Sequence, residues 1–238
     1  ALHPKPEDVL EIGMSSGSGT RVIANHLDVK KLTVVEINPG YSTLIKKYPD
    51  ISTILNDPKI SIHIDDGRRW LNRNPDKKFD LIAMNTTFHW RDGATNLLSE
   101  EFLRLFKSHL KKGGVIYYNT TFSGDVTFTA ANVFKYIVPY SNFVAASDSP
   151  FVMSKEDIRQ NLLKFRNAGK PVFDKNSLSL QHVLNKLVES DLSDKADLIR
   201  NKAGLLHITD DNMATEFKKN NRLFIPERTW TNIFRNKF

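Results

Sequence analysis

Three polar groups near the start of the chain fall where apolar runs end, and they are of the types that bind a nucleoside. Asp8 to Gly13 (DVLEIG) runs into the loop Gly13-Met14-Ser15-Ser16-Gly17-Ser18-Gly19. Small residues there let backbone N–H groups approach a ligand, and the start of a helix behind such a loop favours electron-rich groups. Gly13, Ser15 and Gly17 are therefore candidate ligand contacts. Glu36 closes the next apolar run, about 20 residues on, where an acid in open α/β folds accepts hydrogen bonds from ribose hydroxyls. Asp65-Asp66-Gly67 closes the third run. The loop lacks both the G-x-G-x-x-G spacing of dinucleotide enzymes and a G-K-[ST] phosphate loop. An acid after each of two strands suits an adenosine with a thioether or sulfonium tail.

A second group follows the fourth apolar run, in Asn85-Thr86-Thr87-Phe88-His89-Trp90-Arg91-Asp92. His89 titrates near neutral pH and Asp92 is a carboxylate, so either could take a proton. Phe88, Trp90 and Arg91 form an aromatic, cationic lid over an edge where ligands bind in this architecture. Packing and capping alone would account for His89, Trp90 and Arg91 equally well. Asp210-Asp211 could meet a divalent cation, but no further ligand cluster accompanies the pair and no metal is expected. No G-x-S-x-G elbow appears, and the chain has no Cys, which removes disulfides, thiolate metal sites and cysteine nucleophiles.

The elements that must position these groups alternate. Short apolar runs at 8–13, 32–37, 60–64, 79–84 and 115–119 read as strands, rich in β-branched residues. Helical patterns fill the gaps, at Thr20 to Leu27, from Pro39, through Trp70, and from Ser99 to Leu110. The last is expected to end at Gly113-Gly114, since glycine accepts the left-handed conformation of a helix C-terminus. A helix around Ala130 to Phe134 and a hairpin, Tyr136 to Val138 with Phe143 to Ala146, follow. Near-continuous apolar strands between amphipathic helices imply an α/β fold with a mainly parallel sheet buried on both faces. From Ser154 the composition turns to Lys, Asn, Asp and Leu at helical spacing, with one more strand expected at Leu205 to Ile208. The expected domains are a nucleotide-binding catalytic domain at 1–150 and a mainly helical appendage at 151–238.

At 238 residues and 40% hydrophobic content the chain can bury one sizeable core. No stretch approaches the roughly 18 apolar residues of a membrane-spanning helix, and no signal peptide opens it, so a cytoplasmic location is the expectation. The net charge of +7 is spread over scattered lysine pairs and forms no stripe, so no nucleic-acid partner is expected.

Pro6 to Gly19, Glu36, Asp66-Gly67, Asp80-Leu81-Ile82, Asn96-Leu97-Leu98-Ser99-Glu100-Glu101-Phe102 and Leu110-Lys111-Lys112-Gly113-Gly114 follow a known pattern in order and spacing. Over about residues 6–150 the chain resembles the spermidine synthases, a family on the methyltransferase-like Rossmann fold with a seven-stranded sheet ending in an antiparallel hairpin. The resemblance implies that Gly13 and Gly17 line the nucleotide tail, Glu36 holds the ribose and Asp66 contacts the adenine amino group. It implies S-adenosylmethionine or its decarboxylated form as co-substrate and a small-molecule amine as acceptor; the family's dimers use an N-terminal β region that this chain largely lacks, so a homodimer is an open expectation that the resemblance does not carry over. Asn85 to Arg91 and Thr209 to Met213 resemble more closely the members fused behind hydrophobic membrane segments, so a cytosolic domain of a membrane protein is a further expectation.

The family places two aspartates in a D-x-x-D segment after the fourth strand. Here Asn85 and Phe88 stand at those positions. Asn85 cannot accept a proton, and loss of a general base costs on the order of 10²-fold or more. The resemblance keeps aminopropyl transfer the leading expectation despite these two losses. Methyl transfer to an unknown acceptor, and a non-catalytic nucleotide-binding or regulatory domain, are the alternatives.

Overall fold

A computed structural model describes residues 2–85, 93–212 and 214–218. Seven strands form one sheet in the order β3-β2-β1-β4-β5-β7-β6. They are β1 (Asp8–Ile12), β2 (Lys31–Glu36), β3 (Ile60–Ile64), β4 (Phe79–Met84), β5 (Leu110–Asn119), β6 (Tyr136–Tyr140) and β7 (Phe143–Ser147). The first five run parallel, and β7 pairs antiparallel with both β5 and β6. This is the expected methyltransferase-like arrangement. Pro139 lies within β6, at the sheet edge, where a missing N–H costs no ladder bond.

Helices α1 (Ser18–Ala24), α2 (Gly40–Ile45) and α3 (Pro49–Ser52) cover one face around Val9, Leu32, Val34, Ile45 and Ile54. Helices α4 (Gly67–Arg73), α5 (Glu100–Ser108) and α6 (Gly124–Val133) cover the other, around Leu10, Ile82, Phe102, Phe106, Ile116 and Tyr118. Ser99 caps α5 by accepting from the Phe102 N–H, with Glu100 and Glu101 in its first turn. Both sheet faces are thus buried, as near-continuous apolar strands require.

Beyond β7 come α7 (Lys155–Leu162), a two-residue hairpin of β8 (Arg166–Asn167) and β9 (Lys170–Pro171), α8 (Leu178–Val188) and α9 (Ala196–Arg200). Helices α7 and α8 share a small core of Ile158, Leu162, Leu184 and Val188. A capping box starts α7, where Ser154 and Asp157 exchange hydrogen bonds. No helix among the described residues is long and apolar enough to cross a membrane.

Several boundaries differ from expectation. The helix expected to reach Leu110 stops at Ser108, and Gly113-Gly114 lies inside β5. The reason is that β4 captures the chain early: the Phe79 N–H donates to the His109 carbonyl, and His109 Nδ1 meets the Lys77 carbonyl at 2.7 Å. Gly113, at φ +80°, serves a bulge where β5 slips against β4, and a Cβ on Gly114 would stand 3.0 Å from the Phe79 carbonyl. Helix α1 ends at Ala24, ahead of Leu27, because the Leu27 N–H donates to the Lys164 carbonyl and the Arg166 N–H to that of Asn25. Helix α6 begins six residues before Ala130 and stops short of Phe134, which is extended. Leu205 to Ile208 is no strand. Its N–H groups go to side chains of α6, Leu206 to Asp125 Oδ1 at 2.8 Å and Ile208 to Thr129 Oγ1 at 2.9 Å.

Candidate nucleotide and acceptor site

The C-terminal edge of the parallel strands gathers the acidic groups and the loop. Gly13 (φ +88°) extends the ladder by donating to the Val35 carbonyl, and its Cα faces the Asn85 carbonyl closely enough that a Cβ would lie 3.8 Å away. Ser15 takes φ +49° and its N–H donates to Glu36 Oε2 at 2.9 Å. Glu36 Oε1 accepts from the Asn38 N–H at 2.8 Å, so one buried carboxylate holds the backbone on both sides of itself. Gly17 (φ +79°) turns the loop into α1, and a Cβ there would stand 2.6 Å from Ile54 Cδ1 and 2.8 Å from Ile51 Cγ2. Only glycine satisfies both the left-handed backbone and that close approach.

The acids after β3 are placed differently. Asp65 turns onto α4, pairing with Arg69 and, at 3.6 Å, with Arg73. Its carboxyl sits below the ordinary range: partial desolvation opposes ionisation, but hydrogen bonds from Arg69 and the Asp66 N–H outweigh it. Asp66 caps α4, its Oδ1 accepting from the Arg69 N–H at 2.8 Å. Gly67 packs against Ile12, where a Cβ would meet Cγ2 at 2.8 Å. Of this trio, Asp66 Oδ2 has no partner among the described residues, whereas Asp65 is occupied by arginines.

Asn85 follows β4 and is exposed. Its Oδ1 accepts from Asn119 Nδ2 at 2.9 Å, and Asn119 Oδ1 accepts from Asn142 Nδ2 at 3.1 Å and from the Thr121 N–H at 2.7 Å. Three carboxamides thus line the ends of β4, β5 and the β6–β7 turn. Thr121 and Phe122 next to them hold φ of 51° and 62°, a left-handed conformation that costs a non-glycine residue about 1 kcal/mol or more and concentrates at functional sites. Phe88, His89, Trp90, Arg91 and Asp92 lie outside the described residues.

Sequence reasoning passed over Glu11. It sits in β1 beneath the loop, 5% exposed, and its Oε2 accepts from Thr20 Oγ1 at 2.6 Å. Desolvation raises its pKa to about 7, the Thr20 hydrogen bond opposing this and the Glu36 charge adding to it. An acid set between Leu10 and Ile12 inside an apolar run was the available signal. Asn119 and Asn142 were also missed; an asparagine ending a strand looks like ordinary turn chemistry.

Of the Asp210-Asp211 pair, Asp210 is engaged by neighbouring side chains. Asp210 forms a two-pronged ion pair with Arg68 of α4, and Ser99 Oγ donates to it at 2.6 Å. Among the described residues no three His, Asp or Glu side chains converge as metal ligands. A cleft of about 460 Å³ lies apart from the sheet edge, between α1 and the segment around β8 and β9, with Arg21, Val22, Phe165 and Phe173 among its walls.

Comparison with known proteins places this geometry in a family. The model of the spermine/spermidine synthase domain matches residues 1–154. A polyamine aminopropyltransferase of Aeropyrum pernix is 27% identical over 168 residues, 66% of this chain and 54% of that protein. The chain spans about half the length of the curated relatives it matches. Among solved structures, spermidine synthase from Thermotoga maritima superposes with a TM-score of 0.55 at 24% identity, over 67% of this chain and 60% of that one. Human methyltransferase-like protein 13, in complex with SAH, gives 0.54 at 15% identity, over 79% and 85%. These two likenesses establish the fold. The family match runs from before β1 to beyond β7, taking in the loop, Glu36, Asp66 and Asn85, and the chain belongs to the spermine/spermidine synthase domain family.

Proposed function

We propose that the chain binds an adenosine with a sulfonium tail, S-adenosylmethionine or its decarboxylated form, and moves the aminopropyl group of the latter to a small-molecule amine. The observation that carries this reading is the junction of the Gly13–Gly17 loop with Glu36 at the sheet edge, inside the family-matched segment. Each Glu36 oxygen has taken one backbone donor. A carboxylate offers about four acceptor positions, so two remain for the hydroxyl pair of a ribose. Asp66 Oδ2 is the acceptor suited to an adenine amino group.

In the reaction a neutral amine attacks the methylene carbon beside the sulfonium. A C–N bond forms and the C–S bond breaks, its electron pair going to sulfur to leave neutral methylthioadenosine. The new ammonium then releases one proton. Asn85 cannot take it, which leaves Asp92 and His89 as the bases of that segment.

The test is thermal unfolding with methylthioadenosine, decarboxylated S-adenosylmethionine, S-adenosylmethionine and NAD. A ligand at about 100 times its Kd adds roughly 2.7 kcal/mol, a readily measured rise in Tm. The expected result is stabilisation by the first two beyond that by S-adenosylmethionine, and none by NAD. Stabilisation by none of the adenosine thioethers or sulfoniums would overturn the proposal.

A further inference from the structure

The amide orientations at the acceptor edge are fixed by one backbone group. The Thr121 N–H can only donate, so the Asn119 atom it meets at 2.7 Å must be the oxygen. The other end of that amide is therefore nitrogen, and it donates to Asn85 at 2.9 Å, so the atom of Asn85 in contact is its oxygen. Asn142 obeys the same polarity: its nitrogen meets Asn119 Oδ1 at 3.1 Å and its own oxygen accepts from Ser141 Oγ at 3.3 Å. The series thus runs one way, and its open end is the NH2 of Asn85, an exposed residue whose backbone carbonyl faces Gly13; that NH2 has no acceptor among the described residues.

An outward NH2 at this place has a chemical consequence. It presents two N–H donors and no acceptor, and cannot be turned over without setting Asn85 nitrogen against Asn119 nitrogen. An ammonium group is itself donor-only, so it finds no partner in this NH2 and meets a like-signed dipole. A carbonyl or carboxylate oxygen is the group that fits, and a charged one makes the stronger hydrogen bond.

We propose, resting on the aminopropyl-transfer reading above, that the acceptor amine bears a carbonyl or carboxylate oxygen held by Asn85, in place of the second ammonium group of a simple diamine. Putrescine and 4-aminobutyrate separate the two cases. They share a four-carbon chain and one amine, and differ in whether the far end is an ammonium or a carboxylate.

The experiment uses the full chain labelled with ¹⁵N, the Asn85 NH2 resonances being identified by their loss in Asn85→Asp. Each amine is titrated with and without saturating methylthioadenosine. The expected result is that 4-aminobutyrate shifts the Asn85 NH2 signals at a midpoint at least about tenfold lower than putrescine. In Asn85→Asp, followed through the Asn119 NH2 signals, the order inverts. Equal or tighter binding of putrescine by the native chain, shifts from neither amine, or an unchanged order in Asn85→Asp would each overturn the proposal. Methylthioadenosine is titrated first on the same samples. Its failure to bind counts against the nucleotide reading, and the order of the two amines measured without it still decides the role of Asn85.

Discussion

Thr20 donates its hydroxyl hydrogen to Glu11 Oε2 across 2.6 Å, and both side chains are buried beneath the Gly13–Gly17 loop. Burial raises the Glu11 carboxyl from 4.5 to about 7, so the folded chain holds this proton more tightly than the unfolded chain does. The stability tied to Glu11 is therefore fully present below pH 4.5, declines as pH rises to about 7, and is level beyond. The loss is on the order of 3 kcal/mol. Glu11→Gln keeps an acceptor for Thr20 and cannot ionise. Urea unfolding of both chains from pH 4.5 to pH 8 should show the native chain losing ground to Glu11→Gln over that interval. Parallel curves would mean that Glu11 does not titrate there.

Gly17 and Gly93 share the left-handed backbone, at φ +79° and +74°, but not their surroundings. A Cβ on Gly93 meets nothing within 4 Å, whereas one on Gly17 falls 2.6 Å from Ile54. Gly93→Ala should cost about 1 kcal/mol from backbone conformation alone. Gly17→Ala adds overpacking, typically ~1–3 kcal/mol, and displaces the loop from Glu36. Denaturant midpoints of the two variants give the comparison; equal losses would show that the Ile51 and Ile54 contacts yield freely.

The sheet was legible in the sequence because its central strands are apolar, β-branched runs buried on both faces, and that pattern survives any detail of the connections. Glu36 was legible for a related reason, being an acid at the end of such a run. What escaped was set by tertiary partners. Ser123-Gly124-Asp125 looks like a turn, yet it begins α6 because buried Asp125 is matched by the Leu206 N–H and the Thr215 hydroxyl from far along the chain. Asp125 and Thr129 of α6 take the Leu206 and Ile208 N–H groups, so an apolar run that reads as a strand never enters a sheet. Glycine punctuation misled at Gly113-Gly114 because a bulge and a helix end ask for the same backbone angle. The polarity of Asn85 depends on Thr121 acting through Asn119, which no local pattern connects to it.

Asp210 ties its own segment to two helices, through Arg68 at the start of α4 and Ser99 at the cap of α5. The hydrogen bonds from Arg68, with a further one from Ser99, hold its carboxyl below the ordinary 3.8 despite partial burial. Its contribution is therefore present above pH 3.8 and lost as pH falls through its lowered value. Both partners are about a third exposed, which limits the pair to about 1 kcal/mol after screening. Asp210→Asn should lower the urea midpoint at pH 7 by that amount, with the gap closing as pH falls below 3.8 and through the lowered value. A gap that persists undiminished in acid would assign the loss to the Ser99 cap instead.

Glu36 serves the empty protein as well as any ligand, because its two oxygens take the Ser15 and Asn38 N–H groups from opposite sides. Glu36→Gln preserves shape but turns one acceptor into an NH2 that faces a backbone N–H. With the site buried, one of those donors is left unsatisfied, at a cost of about 1–3 kcal/mol. Urea unfolding without any nucleoside should show this loss. Methylthioadenosine affinity should fall further, by on the order of tenfold or more, since the amide also withdraws acceptor positions from the ribose. A residue kept for ligand binding alone would leave the unliganded midpoint where it was, so an unchanged midpoint with weakened binding would detach Glu36 from the loop and leave it to the nucleoside.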